Sequence, residues 1–199
     1  MPELQRARLS PEERRAQLIA TGVNFLADHS LDELTMDELA RRAGVSRPLL
    51  FHYFETRQGM QLAVVIKARD SLLVFTEPRL ELPPRERIQD TLLRITQFVQ
   101  QHRGTFYSLV RGIASGDPAV RKVVDESREL NAERLRDALV ELDLPDTPML
   151  RVALRSWVAF AEETLISLAI DRDTPADDVV RFLEAALRGM VSATRELNA

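Results

Sequence analysis

The sequence has no cysteine, which excludes disulfide bonds, thiolate metal sites and a cysteine nucleophile. Glycine is scarce, at seven in 199 residues, and none of it is arranged as a phosphate-cradling loop. The three histidines, His29, His52 and His102, are scattered and form no HExxH pair, so no metal site is expected. Long apolar runs are missing too. The stretch 157–161, Trp-Val-Ala-Phe-Ala, is typical of the longest, far short of a membrane span. The opening Met1-Pro2-Glu3 leads a polar segment without an apolar h-region, so no signal peptide is expected. A cytoplasmic protein without membrane contact fits these absences.

Charge of one sign is also missing as a bulk property. The net charge of −4 argues against a protein that coats nucleic acid non-specifically. A local basic face is still present: Arg41, Arg42, Arg47 and Arg57 stand against Glu55 alone between positions 39 and 57. Arginine can contact phosphate or guanine through two parallel hydrogen bonds. An arginine excess also arises from codon bias in a GC-rich genome, and composition does not separate the two origins.

What the chain does contain is helical pattern throughout, with no alternation of the strand type. Ser10-Pro11-Glu12-Glu13 reads as a capping box with proline in the first turn. Leu18, Gly22, Phe25 and Leu26 recur at helical spacing behind it, predicting a helix over about 11–28. Thr35-Met36-Asp37-Glu38 reads as a second capping box, and Gly44 ends the helix it starts. Ser46 caps a short third helix, and Thr56 a fourth through Leu62, Val65, Ile66 and Leu73. Prolines at 78, 83, 84, 118, 145, 148 and 175 divide the rest into helices near 85–101, 104–114, 118–142, 148–171 and 175–195. The expected fold is therefore all-α with about nine helices: a three-helix head over 1–56, and a larger body over 57–199. The fourth helix joins them.

Within the head, Ala40, Gly44 and Leu50 have the spacing of two helices crossing near a right angle through a short turn. The second helix of such a pair can project its N-terminal side chains into a DNA major groove. Leu39, Ala40, Val45, Leu50 and Phe54 are its expected core.

The stretch 34–57, LTMDELARRAGVSRPLLFHYFETR, resembles the TetR family of bacterial regulators. Family proteins share a threonine before the second helix, an apolar-Ala pair, Gly-Val-Ser and an aromatic run. The resemblance implies DNA contacts by Thr35, Met36, Ser46, Arg47, Pro48, Leu49, His52, Tyr53 and Arg57. Thr35 would meet a phosphate at a helix N-terminus. Arg47 would read guanine, with Pro48 and Leu49 against a thymine methyl and His52 nearby. Tyr53 and Arg57 would hold the backbone, Arg57 replacing the usual lysine. Phe51 departs from the family's usual tyrosine and offers no hydroxyl, so packing or apolar contact is expected of it. Asp37 would repel phosphate unless it accepts from cytosine or orients an arginine; an anion at a helix N-terminus is its simpler role.

For the body, the last two helices are apolar around most of their circumference, which implies burial on two sides. The resemblance assigns this to a homodimer, with Val158, Leu165, Val179, Phe182, Leu183, Ala186 and Met190 at the interface. A three-layer monomeric core is the alternative. The resemblance also implies a small-molecule effector site and no other cofactor. Its candidate residues are Phe75, Phe98, His102, Phe106, Tyr107, Val110, Arg111, Trp157, Phe160 and Glu163, with Arg155 and Glu162 as further polar possibilities. A pocket acid would suit a cationic lipophile and an arginine a carboxylate; the sequence leaves both open. The function expected is a ligand-responsive repressor binding a palindromic double-stranded operator. A helical protein-binding adaptor is the alternative, and no convergent catalytic set supports an enzyme.

Overall fold

Local capping chemistry starts several helices close to their expected places. In the computed structural model, which describes residues 9–111 and 116–196, α1 (Pro11–Phe25) opens on the anticipated capping box. Glu13 N–H donates to Ser10 Oγ at 3.1 Å, and Ser10 N–H donates to the Glu13 carboxylate at 2.8 Å. A 3₁₀ turn (Leu31–Glu33) leads to α2 (Met36–Ala43). Thr35 accepts from Glu38 N–H at 3.1 Å, but only half of the second capping box forms. The Glu38 carboxylate turns away to Arg41 and Arg42, both at 2.6 Å. Gly44 closes α2 at φ +64°, a conformation in which a Cβ would be strained.

The short α3 (Arg47–Phe54) completes the head and leads into the long α4 (Arg57–Phe75), which Thr56 caps through Gly59 N–H at 3.0 Å. The body adds α5 (Pro84–Gln101), α6 (Arg103–Arg111), α7 (Pro118–Val140), α8 (Pro148–Thr164) and α9 (Ala176–Glu196). The described residues are all-α. The polar leader and the end of the helix expected over 104–114 lie outside them. The helix expected to run to 171 changes pitch: from Leu165 to Ile170 it is π-helical, and Asp171 N–H bonds the Ile166 carbonyl five residues back.

Two hydrophobic cores divide the chain. The head core joins Leu18, Phe25, Leu26, Leu34, Leu39, Leu50 and Phe54 to Met60 and Val64 of α4, and reaches Leu109, Val120 and Val123. The body core is built from α5, α7, α8 and α9 around Leu150, Leu154, Leu165 and Leu183. Because α4, α6 and α7 carry side chains of the head core, head and body share one packed junction. Gly104 sits where a Cβ would collide with the carbonyls of Leu26 and Ala27. The start of α6 therefore lies directly against the end of α1. No helix among the described residues is long and apolar enough to cross a membrane.

Candidate functional site

Two arrangements carry chemistry, one on the head's surface and one inside the body. On α3, Leu50 and Phe54 turn inward while Arg47, Pro48, Phe51 and His52 are all exposed. Offsets of one, four and five residues place these four side chains on one outward helix face. Arg47 is held there from two sides. Its guanidinium lies 3.3 Å from the Asp37 carboxylate on α2 and 5.6 Å from the centre of the Phe51 ring. Asp37 thus orients an arginine across the turn, and Phe51 supplies the apolar surface beneath it. His52 meets Tyr53 edge to face at 5.3 Å.

The neighbouring helix ends frame this face. The Thr35 hydroxyl accepts from the backbone, which leaves its proton free to donate outward. Ser46 caps α3 by backbone geometry and makes no side-chain capping bond, so its exposed hydroxyl is available as well. Met36 corrects the expectation of a DNA contact: it is 4% exposed and packs in the head core. Positions 36, 39 and 40 form the inward stripe of α2, and a side chain at the start of that stripe turns in. Arg57 donates through Nε to the Leu34 carbonyl at 3.3 Å and through a terminal nitrogen to the Asp32 carbonyl. Gln61 bonds the carbonyls of Leu31 and Leu34 at 2.8 and 3.0 Å. Together they fix the turn that presents Thr35. Arg41 and Arg42, part of the basic cluster in the sequence, are clamped by Glu38.

Inside the body, α4 to α8 surround a cavity of about 1120 Å³ including its open mouth. Of the effector-site candidates, Phe106, Val110 and Trp157 line it. The other seven candidates do not, because helical phase turns them elsewhere. Phe75, Phe98 and His102 form their own ring cluster, with centroids 5.5 and 4.5 Å apart. Tyr107, Arg111 and Glu163 meet outside it, where Arg111 reaches Glu163 at 2.9 Å and lies over the Tyr107 ring. Phe160 is 41% exposed and faces Phe182 of α9, 50% exposed, at 6.0 Å. Arg155 is paired with Glu129 at 3.3 Å, on the surface.

The wall also holds residues the pattern did not single out, among them Arg69, Arg87, Asn131 and Arg134. Arg87 is buried in a two-bond pair with Glu141 at 2.6 and 3.1 Å. That bonding lowers the Glu141 carboxyl below its ordinary range. Glu162, the acid on the cavity side of the 162–163 pair, is raised by burial although Arg128 lies 2.7 Å away. The Trp157 indole N–H is buried with no acceptor among the described residues.

The proposed dimer residues also divide. Val158, Leu165, Val179 and Leu183 are buried in the chain's own core, with Val158 and Leu165 on the cavity wall. They are unavailable to a partner: on α9 the inward stripe is 179, 180, 183 and 187. Phe182 is exposed on the opposite side, with Ala186 and Met190 half-buried at its edge.

A helix-turn-helix whose exposed second helix carries an oriented arginine, on a helical body with an apolar cavity, defines a DNA-binding regulator. Comparison with known proteins identifies its family. The model for bacterial regulatory proteins of the tetR family matches residues 18–64. That for the tetracyclin repressor-like C-terminal domain matches residues 84–189. A tetR-family regulator from Streptomyces coelicolor shares 31% identity at a TM-score of 0.77, over 94% of this chain and 85% of its own. The transcriptional activator FasR of Mycolicibacterium smegmatis is 29% identical over 88% of this chain and 83% of its own. FadR of Bacillus subtilis, solved with stearoyl-CoA, shares the fold at a TM-score of 0.68 and 14% identity, over 89% and 97% of the two chains. The chain belongs to the TetR family, a family of DNA-binding transcription regulators rather than enzymes.

Proposed function

We propose that this regulator is a cytoplasmic, ligand-responsive repressor that grips a palindromic operator as a homodimer. The observation that carries the reading is the outward face of α3, where Asp37 and Phe51 fix Arg47 for contact with a base edge. Pro48, Leu49 and His52 complete the base-reading surface, while Thr35, Ser46 and Tyr53 meet phosphates. Arg57 acts through the 31–34 turn that it braces. Residues 1–56 form the DNA-binding domain, and 57–199 the domain that binds the effector and the second subunit.

Two-fold pairing suits this head, because helix-turn-helix dimers read half-sites about 34 Å apart. The Phe160–Phe182 pair, exposed on α8 and α9, supports a subunit contact on that side. The cavity supports a small-molecule effector, as does the stearoyl-CoA found with FadR. Its walls include α4 and α6, which both reach the head core. An effector that binds the DNA-incompetent head spacing more tightly than the competent one would release the operator. No other cofactor is required. Activation is the second reading, favoured by the printed name of FasR; the operator's position relative to the promoter decides between them.

A gel shift with the gene's own upstream DNA tests the reading. Salt-dependent, sequence-selective binding is expected, and its absence would favour the adaptor alternative.

A further inference from the structure

The cavity wall restricts the chemistry of the effector. Four charged side chains contribute to it: Arg69, Arg87, Arg134 and Glu162. Three have partners: Arg69 bonds Asp70 at 2.8 Å, Arg87 bonds Glu141 at 2.6 Å and Glu162 bonds Arg128 at 2.7 Å. Arg134 differs. Among the described residues no carboxylate lies within 4.0 Å of it, and its one hydrogen bond runs to the Leu73 carbonyl at 3.3 Å. Burial opposes its charge, Glu77 favours it from farther away, and Arg94 opposes it; Arg94 itself is matched by Asp90 at 2.7 Å.

Among the described residues, Arg134 is therefore the charge on the wall without a local counter-ion. Arg134 also ends a polar stripe on α7, formed with Ser127 and Asn131 at helical spacing. Trp157 lines the same cavity, its N–H buried without an acceptor among the described residues. Leu92, Ile95, Phe106, Leu109 and Val124 make much of the remaining surface apolar. A cationic lipophile would meet Arg134 and find Glu162 already neutralised.

We infer that the cavity takes a monoanionic amphiphile, an alkyl chain ended by a carboxylate, with its head on Arg134 and its tail along the apolar wall. The inference rests on the proposed effector response only for its regulatory meaning. Guanidinium and carboxylate form charge-assisted hydrogen bonds about twice as strong as neutral ones, so head-group charge governs selection.

The test uses Trp157, the chain's single tryptophan, as a fluorescent reporter in the wall. Laurate, dodecanol, dodecyltrimethylammonium and lauroyl-coenzyme A are titrated below their micelle concentrations. Laurate is expected to shift Trp157 emission saturably at one per chain, and to bind at least about tenfold tighter than dodecanol. The ammonium compound leaves the emission unchanged. Arg134→Gln loses the laurate preference and keeps dodecanol affinity, while Arg134→Lys restores part of it. Equal binding of laurate and dodecanol, tighter binding of the ammonium or coenzyme A compound, or an undiminished preference in folded Arg134→Gln would overturn the inference. If that variant fails to fold, the head-group series on the native protein decides. Gel shifts with the same compounds separate the two readings. Laurate binding that leaves operator affinity unchanged overturns the effector response while this inference stands; operator release by another compound, without laurate binding, does the reverse.

Discussion

The Asp37 carboxylate on α2 lies 3.3 Å from the Arg47 guanidinium on α3, bridging the two helices of the helix-turn-helix. Both groups are more than half exposed, so the pair adds little to stability. Its consequence is directional: it aims an arginine that has solvent on its other side. Arg47→Ala should cost about 1–3 kcal/mol at one operator base position and relax selectivity there. Asp37→Ala should give a smaller loss at the same position, with the melting temperature nearly unchanged. Affinities for a set of operators with single base changes, measured by gel shift, check both.

Thr35 has two roles that mutation can separate. Its hydroxyl oxygen caps α2, a bond worth about 1 kcal/mol when removed by alanine. Thr35→Ala should lose that stability and also weaken binding to every DNA sequence alike. Thr35→Ser should keep both properties. Thermal unfolding and the salt dependence of DNA binding report the two effects independently.

Carboxyls paired with arginine should contribute to the acid limb of stability. Hydrogen bonds from Arg41 and then Arg42 lower Glu38 from an ordinary 4.5 to about 2. A carboxyl lowered in the folded state stabilises fully above its unfolded value and loses that contribution as pH falls through the folded one. The Glu38 contribution is thus complete above about 4.5 and fades toward 2, and Glu141, lowered by its bonds to Arg87, acts in the same sense. Burial shifts Glu162 the other way, so its ionisation opposes folding as pH rises. Glu38→Gln should flatten the decline between pH 4.5 and 2, as followed by thermal unfolding across that range.

The junction between Gly104 and the end of α1 predicts a change felt by the head. Gly104→Ala forces α6 away from the Leu26 and Ala27 carbonyls. Overpacking of this kind commonly costs about 1–3 kcal/mol. Operator affinity should change although residue 104 lies far along the chain from α3. Unaltered stability and unaltered operator affinity together would remove α6 from the link between cavity and head.

Phe182 is the exposed member of α9 that a subunit contact would cover. Phe182→Glu should shift the protein from dimer to monomer in analytical ultracentrifugation and abolish cooperative operator binding. Leu183→Glu, by contrast, should unfold the body, since Leu183 is fully buried.

The head was legible because its determinants are local. Ser10, Thr35, Gly44 and Thr56 mark helix ends over three or four residues, and Leu50 and Phe54 recur at helical spacing within the third helix. Met36 escaped because a residue at the first position of a helix can face either way, and only the packed head core turns it inward. The cavity was less legible because it depends on how five helices cross. Trp157 and Phe160 are three residues apart on α8, yet one lines the cavity and the other is exposed beside Phe182. Arg111 has the pattern of a pocket cation and is paired outside with Glu163, whereas Arg134 has no apolar stripe to mark it and lines the cavity with no carboxylate within 4.0 Å among the described residues. On α9 the apolar pattern was correctly dense, but Val179 and Leu183 serve the chain's own core and Phe182 faces out.

The most direct test of the DNA-reading role of α3 is a footprint of the wild-type protein and the Arg47→Ala variant on DNA from the gene's upstream region. Two protected half-sites about one helical turn apart are expected in the wild type. In the variant, selectivity should fall at symmetry-related positions of both. Protection without sequence preference, or a variant indistinguishable from wild type at every base, would contradict that role.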